Sequence, residues 1–247
     1  MTTGSLVRRL VPASVRQLAR DLVGVTALQA RMERLETLLY ESKDETWDRS
    51  RRRWRETSPT TDLTWGSAAT GDPFVAKAVA YQAFSPTKSI LEIGPGYGRL
   101  LKSILGKKIP FKQYLGVDIS TKNVAFLKQS LGGAAIDFVE GDIEKITLDG
   151  KFDVVISSLV LKHLYPSFGS ALQNAVRFLN PDAILIFDLI EGHRTFFETD
   201  DVTYIRQYTK DEVGEILTRA GLKLVAFDEV RHEENKVRLL VIAKKSS

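Results

Sequence analysis

From Asp72 to Lys245 the chain alternates short apolar runs with amphipathic stretches. The runs at 89–93, 113–118, 135–139, 152–158 and 183–189 are rich in Val, Ile and Leu and are bounded by Gly, Pro, Asn and Asp, as strands buried on both faces are. Between and around them, apolar positions three and four apart predict helices over 73–84, 97–106, 120–131, 168–179 and 209–220. Strand–helix alternation of this kind needs crossover connections and gives a parallel sheet with helices on both faces. The end of the chain departs from that rhythm. Strands at 222–229 and 236–243 are separated only by Glu233-Glu234-Asn235, so they pair antiparallel. The expectation is a doubly wound α/β sheet of seven strands, mostly parallel, with its last strand antiparallel.

The first quarter reads differently. Val15, Leu18, Leu22, Val25, Leu28, Met32, Leu35 and Leu39 recur at helical spacing, with Arg and Glu between them. Gly24 and the step from 25 to 28 spoil a strict heptad. Such a helix packs on its own domain or on a twin subunit, making a homodimer. With Arg8, Arg9, Arg16 and Arg20 beside the stripe, it also suits peripheral contact with an anionic membrane. Next come Trp47 to Trp54, a Pro/Thr-rich stretch from Thr57 to Thr64, and Trp65. Large rings beside arginines suit a lid over a polyhydroxylated or flat ligand, and equally a connector covering the sheet edge. The division expected is a helical and lid segment over 1–66 and a nucleoside-binding domain over 67–247.

Charge and composition narrow the partners. The whole formal net charge of +4 lies within residues 1–60. A neutral body argues against a nucleic-acid enzyme, which normally carries a basic face. The chain has 0 Cys, which excludes disulfides, thiolate metal sites and a cysteine nucleophile and fits a reducing cytoplasm. No apolar run approaches the roughly 18 residues of a membrane span. Leu6-Val7 and Leu10-Val11 are split by Arg8-Arg9, so no secretory h-region is expected.

The chemistry-bearing motif is Glu92-Ile93-Gly94-Pro95-Gly96-Tyr97-Gly98, directly after the first strand. Glycines there let the chain turn sharply and let a ligand lie against the main chain. Its spacing is G-x-G-x-G rather than the dinucleotide G-x-G-x-x-G, and no Walker Gly-Lys-Ser/Thr follows. Glu92 suits a cationic ligand better than a pyrophosphate. The second strand ends on Asp118.

These residues resemble the class I S-adenosylmethionine-dependent methyltransferase superfamily, in particular sugar O-methyltransferases, over about Asp72 to Lys245. The resemblance implies a Rossmann-like fold, and it implies that Glu92, Gly94, Gly96 and Gly98 form the cofactor loop. Asp118 would bind the ribose hydroxyls, with Ile119 beside it. Asp142 would bond the adenine amino group and Ile143 would flank the ring. Phe152 to Ser158 matches the fourth motif, putting Ser158 at the methionine end. Asn180-Pro181 resembles the usual Leu-x-Pro-Gly turn, with Asp182 in place of glycine.

The acceptor is read from the residues after strands four and five. Methylating a hydroxyl requires removal of its proton, so a general base is expected near the methyl. His163 stands after strand four, and Asp188 near the end of strand five is the expected carboxylate partner of its imidazole. Trp65, Tyr97, Glu191, His193, Tyr204, Arg206 and Tyr208 are candidate acceptor-binding residues. Glu191, His193 and Asp200-Asp201 could together hold Mg2+. Thr209 and Glu212 also form a capping box for the last helix, a purely structural reading. The expected function is methyl transfer to a hydroxyl of a sugar or oligosaccharide, as in polysaccharide biosynthesis. The alternatives are N- or O-methylation of a small metabolite or lipid, and a non-enzymatic cofactor-binding scaffold.

Overall fold

The computed structural model describes residues 43–58, 70–198, 202–233 and 236–245. The predicted helical stripe at 15–39, Trp65 and Asp200-Asp201 lie outside the described residues. Residues Asp48–Ser247 form one compact unit. Among the described residues no helix is long and apolar enough to cross a membrane.

The described residues form nine strands: β1 (Ser89–Ile93), β2 (Gln113–Asp118), β3 (Ile136–Glu140), β4 (Phe152–Ser157), β5 (Leu179–Glu191), β6 (Thr195–Phe197), β7 (Tyr204–Tyr208), β8 (Leu222–Glu233) and β9 (Lys236–Lys245). The seven strands expected from the apolar pattern run in the order β3-β2-β1-β4-β5-β9-β8. All neighbours are parallel except β9, which is antiparallel to both β5 and β8. β6 and β7 were not legible as strands. They form a small antiparallel hairpin that joins β5 at Ile190 and Glu191, beyond the residues of β5 that pair with β9.

The helices are α1 (Lys43–Glu56), α2 (Asp72–Ala80), α3 (Arg99–Gly106), α4 (Thr121–Leu131), α5 (Gly169–Val176) and α6 (Lys210–Arg219). Successive strand residues point to opposite faces, and both faces are covered. Ile90, Val154, Ile156, Ile184 and Ile186 pack with Phe74 and Val75 of α2, Leu101 and Ile104 of α3, and Leu127 of α4. Leu91, Ile93, Val155, Leu185 and Phe187 pack on the other face with Leu172 of α5 and Val213 and Leu217 of α6. Ser120 caps α4 and Thr209 caps α6, each side chain accepting from the backbone three residues on. In the turn entering β5, Asp182 takes the left-handed backbone (φ 60°) that glycine usually supplies and that aspartate tolerates better than most residues.

This arrangement brings the carboxyl ends of β1, β2, β4 and β5 to one edge, where open α/β sheets bind ligands. Gly98 makes that edge possible. It begins α3 at φ 82°, and a Cβ there would stand 2.5 Å from Leu131 Cδ1 and 3.0 Å from Leu127 Cδ2 of α4. Gly98→Ala therefore meets both backbone strain and overpacking. The expected loss is about 2–4 kcal/mol, measured as a lower urea midpoint with an unchanged m-value.

Candidate active site

A cavity of about 530 Å³ opens at this edge, within the range of small-molecule sites. At one end it is lined by the glycine loop and by Asp118, Ile119, Asp142 and Ile143. Gly94 and Gly96 both have positive φ. A Cβ on Gly94 would lie 2.6 Å from Val160 Cγ2, whereas one on Gly96 would meet nothing within 4 Å and would stand on the cavity side of the loop. The loop is fastened by Gly94 N donating to Val117 O (2.8 Å) and Gly96 N donating to Asp118 Oδ2 (2.9 Å). Asp118 Oδ1 accepts from Ser120 N at 2.9 Å and from Asn123 Nδ2 at 3.3 Å. Burial pushes this carboxyl's pKa up, against those hydrogen bonds. Each carboxylate oxygen has two lone-pair sites, so acceptor capacity toward vicinal hydroxyls remains.

Glu92 has another task. It does not line the cavity: it is buried and accepts a hydrogen bond from the Tyr114 hydroxyl. Gly98 likewise shapes the loop from outside the cavity. Both were expected as cofactor-binding residues, and neither lines the cavity. Burial raises the Glu92 carboxyl to about 7, with the Tyr114 hydroxyl and Arg99 opposing.

The opposite wall comes from a segment whose helicity the sequence did not reveal. Ser50, Arg51 and Trp54 of α1, with Thr57 after it, line the cavity. Arg51 Nε donates to Asp142 Oδ2 at 2.8 Å, and its guanidinium also pairs with Glu144. Ser120 Oγ donates to Thr57 O at 2.6 Å. The Trp54 ring lies 4.4 Å from the His163 ring, and its buried Nε1–H has no partner among the described residues.

His163 lines the cavity, as expected of it, but its partner is not Asp188. Its Nδ1 lies 2.8 Å from the backbone carbonyl of Tyr204. A carbonyl only accepts, so Nδ1 carries the proton and Nε2 keeps its lone pair. Burial, helped by Lys162, holds the imidazole well below its ordinary pKa; the Tyr204 bond opposes this. Asp188 belongs to a different histidine. Its Oδ2 accepts from His232 Nε2 at 2.9 Å and from the Ser158 hydroxyl, and its Oδ1 accepts from Leu159 N at 2.8 Å. Arg99 in turn donates to Ser158 Oγ at 2.6 Å. Burial favours protonating Asp188, but these donors, His232 first, hold its pKa below the usual carboxylate value. His163 is reached by the β6–β7 hairpin, absent from the sequence pattern, and that hairpin's carbonyl replaces the expected carboxylate.

Tyr97, Ser158 and His163 reach the cavity, while Glu191, His193, Tyr204, Arg206 and Tyr208 do not line it. Tyr208 is core, packed edge-on to Phe168. Tyr204 packs between Tyr165 and Phe197. Arg206 pairs with Glu212 and the Pro166 carbonyl. Glu191 and His193 are exposed and outside the cavity, and Glu191 lies 3.7 Å from Lys210. Among the described residues no group of three or more His, Asp or Glu could hold a metal, and Asp200-Asp201 of the expected Mg2+ cluster lie outside them. His232, Lys162 and Arg238 line the cavity without having been anticipated.

A glycine loop on β1, an acidic end to β2 and an antiparallel last strand define the class I methyltransferase fold. Residues 91–187 match the family described as "Methyltransferase domain". It is 30% identical over 111 residues to the fatty-acid O-methyltransferase of Mycolicibacterium smegmatis, covering 44% of this chain and 40% of that protein. It is 29% identical over 109 residues to the malonyl-[acyl-carrier protein] O-methyltransferase of Acetivibrio thermocellus, covering 44% and 38%. The chain thus spans about two fifths of the length of these curated relatives. Among solved structures, a S-adenosylmethionine-bound amino pentose methyltransferase from Micromonospora echinaspora superposes with a TM-score of 0.57 at 18% identity, over 74% of this chain and 95% of that one.

The Glu92 carboxyl makes stability depend on pH. Below its ordinary value of 4.5 it is protonated in both the folded and unfolded states; between there and about 7 only the unfolded chain ionises, so stability falls as pH rises. The wild type should lose about 3 kcal/mol across that window relative to Glu92→Gln. Urea titrations of both proteins at pH 4.5, 6 and 8 measure the difference.

Proposed function

We propose that the chain is an S-adenosylmethionine-dependent O-methyltransferase whose acceptor is a hydroxyl carried on a largely apolar body, a lipid or small metabolite. When bound, the cofactor supplies an electrophilic methyl on sulfonium. Gly94, Gly96, Asp118, Asp142, Ile119 and Ile143 would hold it, and the chain's part is to position the acceptor and exclude water. The observation that carries this reading is one continuous cavity joining that nucleoside end to two buried histidines, His163 against the Trp54 ring and His232 on the Asp188 carboxylate. Leu159, Val160, Leu164, Ile190 and Ile205 give the cavity an apolar wall, which favours an apolar acceptor body. The two curated relatives are both O-methyltransferases named for acyl substrates, which supports oxygen as the accepting atom.

The sugar hydroxyl remains a second reading. Trp54 favours it, since an aromatic ring with an unpartnered N–H suits a polyhydroxylated ring. Incubation with methyl-labelled cofactor and a long-chain alcohol, a fatty acid, a methyl hexoside and a primary amine separates the readings. Label on the alcohol is the expected outcome; label on the amine alone rejects O-methylation. Asp118→Asn should weaken binding of S-adenosylmethionine about 10–100-fold, from the loss of charge-assisted bonds, as read by calorimetric titration.

A further inference from the structure

We propose that His232, held by Asp188, is the group that takes the acceptor's proton, and that His163 is not. This rests on the O-methyltransferase reading above and names the residue that performs its proton transfer.

The backbone at His232 is unusual. In the β8–β9 ladder Arg231 pairs with Val237 and Glu233 with Lys236, so His232 is the extra residue of a β-bulge. A bulge re-aims a side chain out of the regular alternation, and bulges recur beside active sites. Here the His232 side chain is buried and lines the cavity, with Nε2 on Asp188 at 2.9 Å. Asp188 is ionised and accepts only, so Nε2 carries the proton and Nδ1 holds a lone pair. Nδ1 is buried and has no partner among the described residues. A buried polar atom without a partner costs stability unless a ligand completes it. A hydroxyl donating to Nδ1 completes this one.

The step balances. The acceptor oxygen forms its bond to the methyl carbon as the carbon–sulfur bond breaks, and that electron pair stays on sulfur, which becomes a neutral thioether. The hydroxyl proton passes to His232 Nδ1, and the resulting imidazolium faces the Asp188 carboxylate. Arg99 reaches Asp188 only through the Ser158 hydroxyl, which donates to the carboxylate. The His163 ring is set differently. Its ring bonds a neutral carbonyl, and Lys162, Arg53 and Arg238 all oppose a positive charge there. Asp188 is a positioning residue in this scheme.

The first test needs no acceptor. In imidazole-15N-labelled protein saturated with S-adenosylhomocysteine, His232 should show the Nε2–H tautomer with Nδ1 unprotonated at pH 7.5. Asp188→Asn should abolish that tautomer preference. A protonated Nδ1 in the saturated wild-type complex overturns the proposal, whatever the acceptor proves to be.

The second test uses the long-chain alcohol. His232→Gln should lower kcat at least about 100-fold, leave S-adenosylhomocysteine affinity within about threefold, and change KM little. Added imidazole should partly restore His232→Ala, if that variant folds by circular dichroism. A loss below threefold in kcat for His232→Gln would falsify the assignment, as would the same 100-fold loss confined to His163→Ala. If wild type fails to methylate the alcohol, the acceptor class proposed above is rejected, and the tautomer measurement still decides the role of His232.

Discussion

A carboxylate 1% exposed, at Asp188 near the end of β5, organises the acceptor end of the cavity. A buried charge is tolerable only when donors surround it, so two other parts of the chain must converge on this point. The end of β4 contributes the Ser158 hydroxyl and the Leu159 N–H, and β8 contributes His232. One consequence is visible in the backbone. Leu159 is held at φ 65°, a conformation costing roughly 1–2 kcal/mol for a residue with a side chain. A hydrogen bond to an ionised group contributes about 1.5–3 kcal/mol, enough to offset that strain. Remove the charge and the turn after β4, the bulge in β8 and the floor of the cavity all lose their common anchor.

The sheet was legible because strands buried on two faces are written as unbroken apolar runs between turn residues. Ile90 to Ile93, Val154 to Ile156 and Ile184 to Phe187 each divide between the two cores as a period of two requires. The nucleoside end was equally legible, since glycines at fixed spacing after a strand have few other uses. The acceptor end was not, and the reasons are physical. Helix α1 is poor in apolar residues (KDETWDRSRRRWRE) because it covers a cavity rather than a core, so periodicity passed it over. β6 is only three residues long, and β7 carries Arg206 and Gln207 where a core strand would be apolar. Tyr208 looked like a binding residue but fills the core against Phe168. Asp188 was rightly read as half of a His–carboxylate pair, and the wrong histidine was chosen. Proximity in sequence favoured His163, whereas the sheet order sets β9 beside β5 with β8 next in line, and His232 comes across on the bulge.

The two histidines illustrate how environment separates identical side chains. Both are buried at the same cavity, and their charged neighbours differ. Burial first, and then Lys162, Arg53 and Arg238, favour the neutral form of His163, whose ring packs against Trp54. His232 instead bonds the Asp188 carboxylate through Nε2.

The same logic links the two ends of the cavity. Asp142 Oδ2 binds Arg51 of α1 while Oδ1 accepts the Glu144 N–H at 3.0 Å. A carboxylate offers about four lone-pair sites, so an adenine amino group and the guanidinium can share it without displacing one another. Helix α1 is therefore anchored to the residue expected to recognise the nucleoside, while its Trp54 covers the histidine wall of the acceptor end. One ion pair thus ties the helix that carries Trp54 to the nucleoside end of the cavity.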